Sequence, residues 1–201
     1  MTLVDLTCPI VEHARAAVTE LAMQHVPIMI VGDREHRETR YLVEAAGTAL
    51  LAVISSAKDL ALLVPPPRVG IVYQTTQSRQ LRQAVLEWCR VAGSEVLERQ
   101  TLCPEVLRRQ DSTVLLAQKC TIMLVLGDRS SANTCRLVSV AAAACKRSYL
   151  VADPAEIHDI TMRSADLVGI VSGTSCPQSF IDGVLDWLKR RYSSIQIEMT
   201  S

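Results

Sequence analysis

Two cysteines stand directly before prolines, as Cys8-Pro9 and Cys103-Pro104. Proline is favoured at the first position of a helix, where its missing N–H would have no partner anyway. Each thiol is therefore expected at a helix N-cap, where the positive end of the helix dipole favours the thiolate, the form that attacks electrophiles or binds metal. Gly32-Asp33-Arg34-Glu35-His36 and Gly127-Asp128-Arg129-Ser130-Ser131-Ala132-Asn133 each follow an apolar run and lead into a helical pattern. Free backbone N–H groups at such junctions suit an anion. Ser131 and Asn133 can donate to phosphate oxygens, His36 can donate and carry charge, and Glu38 can carry a proton if its pKa is raised. Thr75-Thr76-Gln77-Ser78 and Thr174-Ser175-Cys176-Pro177 add hydroxyls and a further thiol. Taken singly, these hydroxyl and amide residues also read as ordinary helix caps. Taken together they describe a pocket for a small anionic ligand beside a thiolate-bound centre.

The elements that must position these residues are legible through an internal repeat. A shift of 95 positions sets Cys8-Pro9-x-Val11 on Cys103-Pro104-x-Val106, Gly32-Asp33-Arg34 on Gly127-Asp128-Arg129, and Thr39-x-x-Leu42-Val43 on Thr134-x-x-Leu137-Val138. After a four-residue slip, Val69-Gly70-Ile71-Val72 matches Val168-Gly169-Ile170-Val171 and Thr75-Thr76 meets Thr174-Ser175. The blocks keep their order, which marks a duplicated unit, with the first unit expected over 1–95 and the second over 96–201. In the first, periodicity predicts helices over 10–25, 35–46 and 78–91, a short helix near Lys58, and strands at 26–31, 50–54 and 69–73. In the second it predicts helices over 105–119, 131–145, 154–163 and 178–191 and strands at 121–126, 148–151 and 167–171. Such alternation predicts an α/β fold of two tandem units, each a small parallel sheet flanked by helices. In an open parallel sheet, loops leaving the strands share the carboxyl edge, where ligands bind.

Composition narrows the function classes. With 49% hydrophobic residues in 201 the chain can bury a core. Equal numbers of basic and acidic residues, 21 of each, and 3% aromatics argue against nucleic acid as a partner. Apolar runs such as Ile28 to Val31 fall far short of the roughly 20 residues that span a bilayer, so no membrane association is expected. Asp5, Glu12 and His13 interrupt the start of the chain, and without a secretory leader a cytoplasmic location is expected. Seven cysteines follow no disulfide spacing. Cys89, Cys120 and Cys145 lie late in helical patterns or just after them and are expected as buried small hydrophobes.

In this order, the blocks resemble the last two thirds of the LytB/IspH (4-hydroxy-3-methylbut-2-enyl diphosphate reductase) family. Asp5-Leu6-Thr7-Cys8-Pro9 resembles that family's second cluster-cysteine motif, and Leu102-Cys103 with Arg109-Gln110 the third. His36-Arg37-Glu38 resembles the segment with a substrate-contacting histidine and the glutamate of proton delivery. Gln74-Thr75-Thr76 resembles its Gln-Thr-Thr, Ser131-Ala132-Asn133 its Ser-Ser-Asn diphosphate clamp, and Gly173-Thr174-Ser175 its Gly-Ala-Ser. The resemblance implies two thirds of a trefoil of α/β units, and a [4Fe-4S] cluster that reductively removes an allylic hydroxyl from a diphosphate ester. It places Cys8 and Cys103 at the cluster, Glu38 and Thr75 in catalysis, and His36, Thr76, Ser131, Asn133 and Ser175 on the substrate.

The chain also departs from the family. The family's first unit, with its own cluster cysteine, has no counterpart in these 201 residues. Ala132 replaces a clamp serine, and Arg37, Arg40 and Tyr41 stand where the family has proline and glycine positions. A cubane takes three or four protein ligands. On this reading the vacancy is filled by Cys176, less plausibly by Cys135, by a second copy of the chain in a homodimer, or by a separate partner subunit. If the chain is catalytic, a small electron donor such as ferredoxin or flavodoxin is also implied. The alternative is a non-catalytic paralogue that binds a metabolite or a partner.

Overall fold

The computed structural model describes residues 7–163, 165–192 and 196–199. Asp5 and Leu6 of the first cysteine motif lie outside the described residues. The chain divides into two compact units, Met1–Pro104 and Glu105–Ser201.

The first unit runs α1 (Pro9–Met23), β1 (Ile28–Val31), α2 (Arg37–Ala46), β2 (Leu50–Ile54), β3 (Arg68–Tyr73), α3 (Arg79–Val91) and β4 (Glu95–Arg99), with short 3-10 turns at Gly47–Ala49 and Ala57–Leu62. Its four strands are parallel in the order β2-β1-β3-β4. The apolar run Ile28 to Val31 is buried along its whole length, as a central parallel strand is. Side chains alternate across the sheet. Ile28 and Ile30 pack with Ala14, Val18 and Leu21 of α1 and Leu42 and Ala46 of α2, while α3 buries Leu81, Val85 and Cys89 and lies beside β4 and the second 3-10 turn.

The second unit repeats the plan: α4 (Pro104–Ala117), β5 (Ile122–Leu126), α5 (Ala132–Ala144), β6 (Ser148–Val151), a 3-10 turn at Pro154–Asp159, β7 (Leu167–Ser172), α6 (Gln178–Arg191) and β8 (Gln196–Met199). Its sheet is parallel in the order β6-β5-β7-β8. One close approach is duplicated as well. A Cβ on Gly70 would stand 2.7 Å from Leu21 Cδ1 of α1, and one on Gly169 would stand 2.8 Å from Cys120 Sγ just after α4. The matched glycines of β3 and β7 thus let the first helix of each unit settle onto its sheet.

The expected α/β architecture is observed, and Cys89, Cys120 and Cys145 are buried in the cores. Two expectations need correction. Strands β4 and β8 were not foreseen, and the segment expected as a helix over 154–163 is only the 3-10 turn Pro154–Asp159. Because β4 is hydrogen-bonded to β3, the compact first unit extends past the repeat boundary to Pro104. Among the described residues no helix is long and apolar enough to cross a membrane.

Both sheet orders reverse direction between their two central strands, between β1 and β3 in one unit and β5 and β7 in the other. Loops leaving those strands diverge at that point and open a crevice, where ligands bind in open α/β sheets. The segments 32–36 and 74–78, and 127–131 and 173–177, are the loops in question.

Candidate functional site

In the first unit, Glu38 and Thr75 meet across the crevice. Glu38 lies in the first turn of α2 and is only 9% exposed. The Thr75 N–H donates to Glu38 Oε1 at 2.6 Å, and Thr75 Oγ1 donates to Oε2 at 2.9 Å. Burial pushes the Glu38 carboxyl above the usual carboxylate range, against the opposing pull of both Thr75 donors and of nearby His36. A carboxyl raised in this way keeps its proton to higher pH than an exposed glutamate does. His36 caps α2, its Nδ1 accepting from the Glu38 N–H at 3.2 Å. Any ring proton then sits on Nε2, which remains a donor.

Gln74 fixes this geometry. It is fully buried, and its Oε1 accepts from the Asp33 N–H at 2.8 Å and from Thr39 Oγ1 at 3.2 Å. Its Nε2 donates to Thr76 Oγ1 at 2.9 Å. One amide therefore ties the loop after β1, helix α2 and the loop after β3. Gly32 is required beside it, since a Cβ there would lie 2.6 Å from Thr39 Oγ1 and 2.9 Å from Gln74 Cβ.

Cys8 and Cys103 of the first unit are brought to the same end of the sheet. Cys8 is exposed, caps α1 ahead of Pro9, and makes no side-chain cap bond. It lines an open pocket of about 700 Å³ with Thr7, Val11, His36, Arg37, Glu38 and Tyr41. Cys103 is half-buried. Beyond β4, Thr101 Oγ1 accepts from the Tyr73 N–H at 2.9 Å and donates to the Tyr73 carbonyl at 2.7 Å, and the Cys103 N–H donates to the Thr75 carbonyl at 2.9 Å. Cys103 is thus bonded through its backbone to the residue that holds Glu38.

In the second unit, Ser131 caps α5, its Oγ accepting from the Thr134 N–H at 3.3 Å. The repeat aligns His36 with Ser131 and Glu38 with Asn133. Asn133 is 4% exposed, and neither atom of its amide has a partner among the described residues. An orphaned buried amide costs about 1–3 kcal/mol. Ser175 and Cys176 line a separate pocket of about 830 Å³ with Gly127, Asp128, Arg129 and Phe180. Ser131 and Asn133 are not among its lining residues. Burial pushes the Cys176 thiol up, which works against the thiolate that a metal needs. Arg109, noted beside Cys103, donates to the Ser172 carbonyl at 3.3 Å.

The structure therefore groups Cys8, His36, Glu38, Thr75, Thr76 and Cys103 in the first unit and Ser131, Asn133, Ser175 and Cys176 in the second. Gln74 and Thr101 carry the positioning, and sequence reading gave neither a role. Among the described residues no group of three or more His, Cys, Asp or Glu side chains is arranged to hold a metal ion. As donors for an iron–sulfur cluster, the free thiols of Cys8 and Cys103 fit in type and in placement at two helix starts. Two thiols fall short of the three or four protein ligands that a cubane takes.

Residues 1–189 match a family model described as LytB protein. A 4-hydroxy-3-methylbut-2-enyl diphosphate reductase from Geobacter sulfurreducens is 32% identical over 186 residues, covering 92% of this chain and 66% of that protein. The protein of the same name from Geotalea daltonii is 31% identical over 189 residues, covering 94% and 67%. The chain spans about two thirds of the length of the curated relatives it matches. Among solved structures, the E-1-hydroxy-2-methyl-but-2-enyl-4-diphosphate reductase of Plasmodium falciparum superposes with a TM-score of 0.83 at 20% identity, over 97% of this chain and 63% of that one, which establishes the fold. A second structure, described as (E)-4-hydroxy-3-methyl-but-2-enyl diphosphate reductase, gives 0.53 at 27% identity, over 93% and 67%.

Proposed function

The chain belongs to the LytB family, and from that premise we propose that it is an iron–sulfur reductase acting on a small diphosphate-bearing or otherwise anionic metabolite. The observation that carries this reading is the Glu38–Thr75 pair, a buried carboxyl with a raised pKa on the same pocket wall as Cys8. Cys8 and Cys103 would hold part of a [4Fe-4S] cluster, with the remaining ligands from a second copy or a partner subunit. When bound, the cluster would supply the electrons, received from a small donor such as ferredoxin or flavodoxin, for reductive loss of a hydroxyl.

The protein's own part is positioning and proton delivery. Glu38 would give the proton with which the hydroxyl oxygen leaves as water, the carbon taking the donor's two electrons and a second proton from solvent, and Thr75 fixes the orientation of the Glu38 carboxyl. His36, which lines the pocket, would offer Nε2–H. In the second unit, the unpartnered Asn133 Nδ2 would donate to the oxygens of an anionic group such as a diphosphate, with Ser131 and Ser175 as further candidate donors.

The test is purification without oxygen, with iron and sulfide supplied. The expected product is a brown protein whose iron is lost on Cys8→Ser and on Cys103→Ser. Cys8 is exposed, so its serine variant keeps the fold. A folded, colourless chain with no bound iron overturns the reductase and leaves a non-catalytic binding protein.

A further inference from the structure

The pocket at the start of α2 carries a charge that the reading above leaves unused. Arg37 is the first residue of α2, is exposed, and lines the pocket of about 700 Å³ with Cys8, His36 and Glu38. The arginines around it are engaged. Arg34 donates to the Val53 carbonyl at 2.8 Å, Arg40 pairs with Glu35, and Arg15 lies 3.8 Å from Glu12 and over the Tyr41 ring at 5.0 Å. The neighbouring carboxylates are engaged too, since Glu35 faces Arg40, Glu12 accepts from the Tyr41 hydroxyl at 2.9 Å, and Glu38 takes both Thr75 donors. Arg37 alone of these arginines has no hydrogen bond or ion pair among the described residues.

The duplication shows that the fold does not need this cation. The counterpart of Arg37 is Ala132, and α5 starts there with an alanine, capped by Ser131. The guanidinium is a planar fork of donors matched to the paired oxygens of a carboxylate or phosphate. We infer that Arg37 is a specificity-determining residue, and that the first unit's pocket takes a ligand bearing an oxyanion, carboxylate or phosphate, beside the group that meets Glu38. The inference rests on the reading of this pocket as a ligand site.

Phenylglyoxal labelling of each arginine, followed by peptide mass mapping, tests it on the purified protein with or without iron. The probes are inorganic phosphate and succinate, each titrated against chloride at equal ionic strength. At about 90% occupancy the Arg37 labelling rate falls about tenfold and saturates, while exposed Arg90 and Arg108, each paired with a glutamate, keep their rates. The probe that protects more strongly identifies the oxyanion. Arg37 labelling that neither probe slows, or slowing shared equally by all exposed arginines, overturns the inference. A colourless protein that still protects Arg37 removes only the reductase reading, and a brown protein with unprotected Arg37 removes only this one.

Discussion

Glu38 and Asn133 occupy equivalent positions in the two copies and pose opposite problems. Glu38 is buried with its acceptors filled, so its charge is set by competition between desolvation, which wins, and the Thr75 donors. Thr75→Val removes the hydroxyl donor and leaves the backbone one. The Glu38 pKa should then rise further, read from the carboxyl band by infrared titration. A pKa that falls or stays put would show that Thr75 does not control the group. Because the folded-state pKa lies above the unfolded one, the Glu38 contribution to stability is fully present below the ordinary glutamate pKa of about 4.3 and is lost as pH rises through the folded value. Thr75→Val extends that window to higher pH. Asn133 has the reverse difficulty, a buried amide with no partner among the described residues. Asn133→Leu, close in volume, should therefore stabilise the ligand-free chain by about 1–3 kcal/mol, raising Tm by roughly 2–4 °C per kcal/mol. It should also abolish pyrophosphate binding, measured by calorimetry. A destabilised variant, or one that still binds, means that the amide is partnered in solution or takes no part.

At the scale of elements, the central strands were legible because burial on both faces writes them as continuous apolar runs, Ile28 to Val31 and Ile122 to Leu126. Strand β4, Glu-Val-Leu-Glu-Arg, is an edge with no fully buried residue. Its alternation is short, and its glutamates answer to distant partners. Glu98 accepts from the Tyr73 hydroxyl at 2.7 Å and from Arg82 at 2.6 and 2.8 Å. Those arginine bonds hold Glu98 below the usual carboxylate range despite its burial. Strand β8, Gln-Ile-Glu-Met, is short and polar in the same manner. Missing β4 also hid why Cys103 sits where it does, because Thr101 continues the line of β4 against Tyr73. The site residues were legible in a different way. His36, Glu38 and Thr75 stood out by their place at helix starts and by family resemblance. Gln74 and Gly32 act through contacts between segments some 40 residues apart, and no local pattern announces those. Even so, the duplication holds a clue. Gly173 stands where Gln74 does in the first copy, so the amide tie belongs to the copy that carries Glu38.

Across the whole molecule, duplication gives two sheets of one topology with separate cores. Ile28, Ile30, Leu42 and Val72 belong to one cluster in the first unit, while Ile122, Leu124, Leu126 and Ile170 belong to another in the second. The two clusters share no residue. Contacts of this kind set which amides open together, since a cooperative unit is bounded by its own packed core. Leu124 is fully buried, and Leu124→Ala should cost about 2–5 kcal/mol through lost transfer energy and a residual cavity. Hydrogen exchange should place that loss in the amides of β5, β6 and β7, with those of β1 and β3 keeping their protection. Combined with Ile30→Ala, the cost should add to within about 0.5 kcal/mol, as it does for sites with no shared partner. An equal fall in both sheets, or strong non-additivity, would mean that the copies unfold as one body. Separate unfolding would fit how the copies have diverged. One crevice carries the buried acid and its tie, the other an unfilled amide, and each could change because its own core held the matching loops in place.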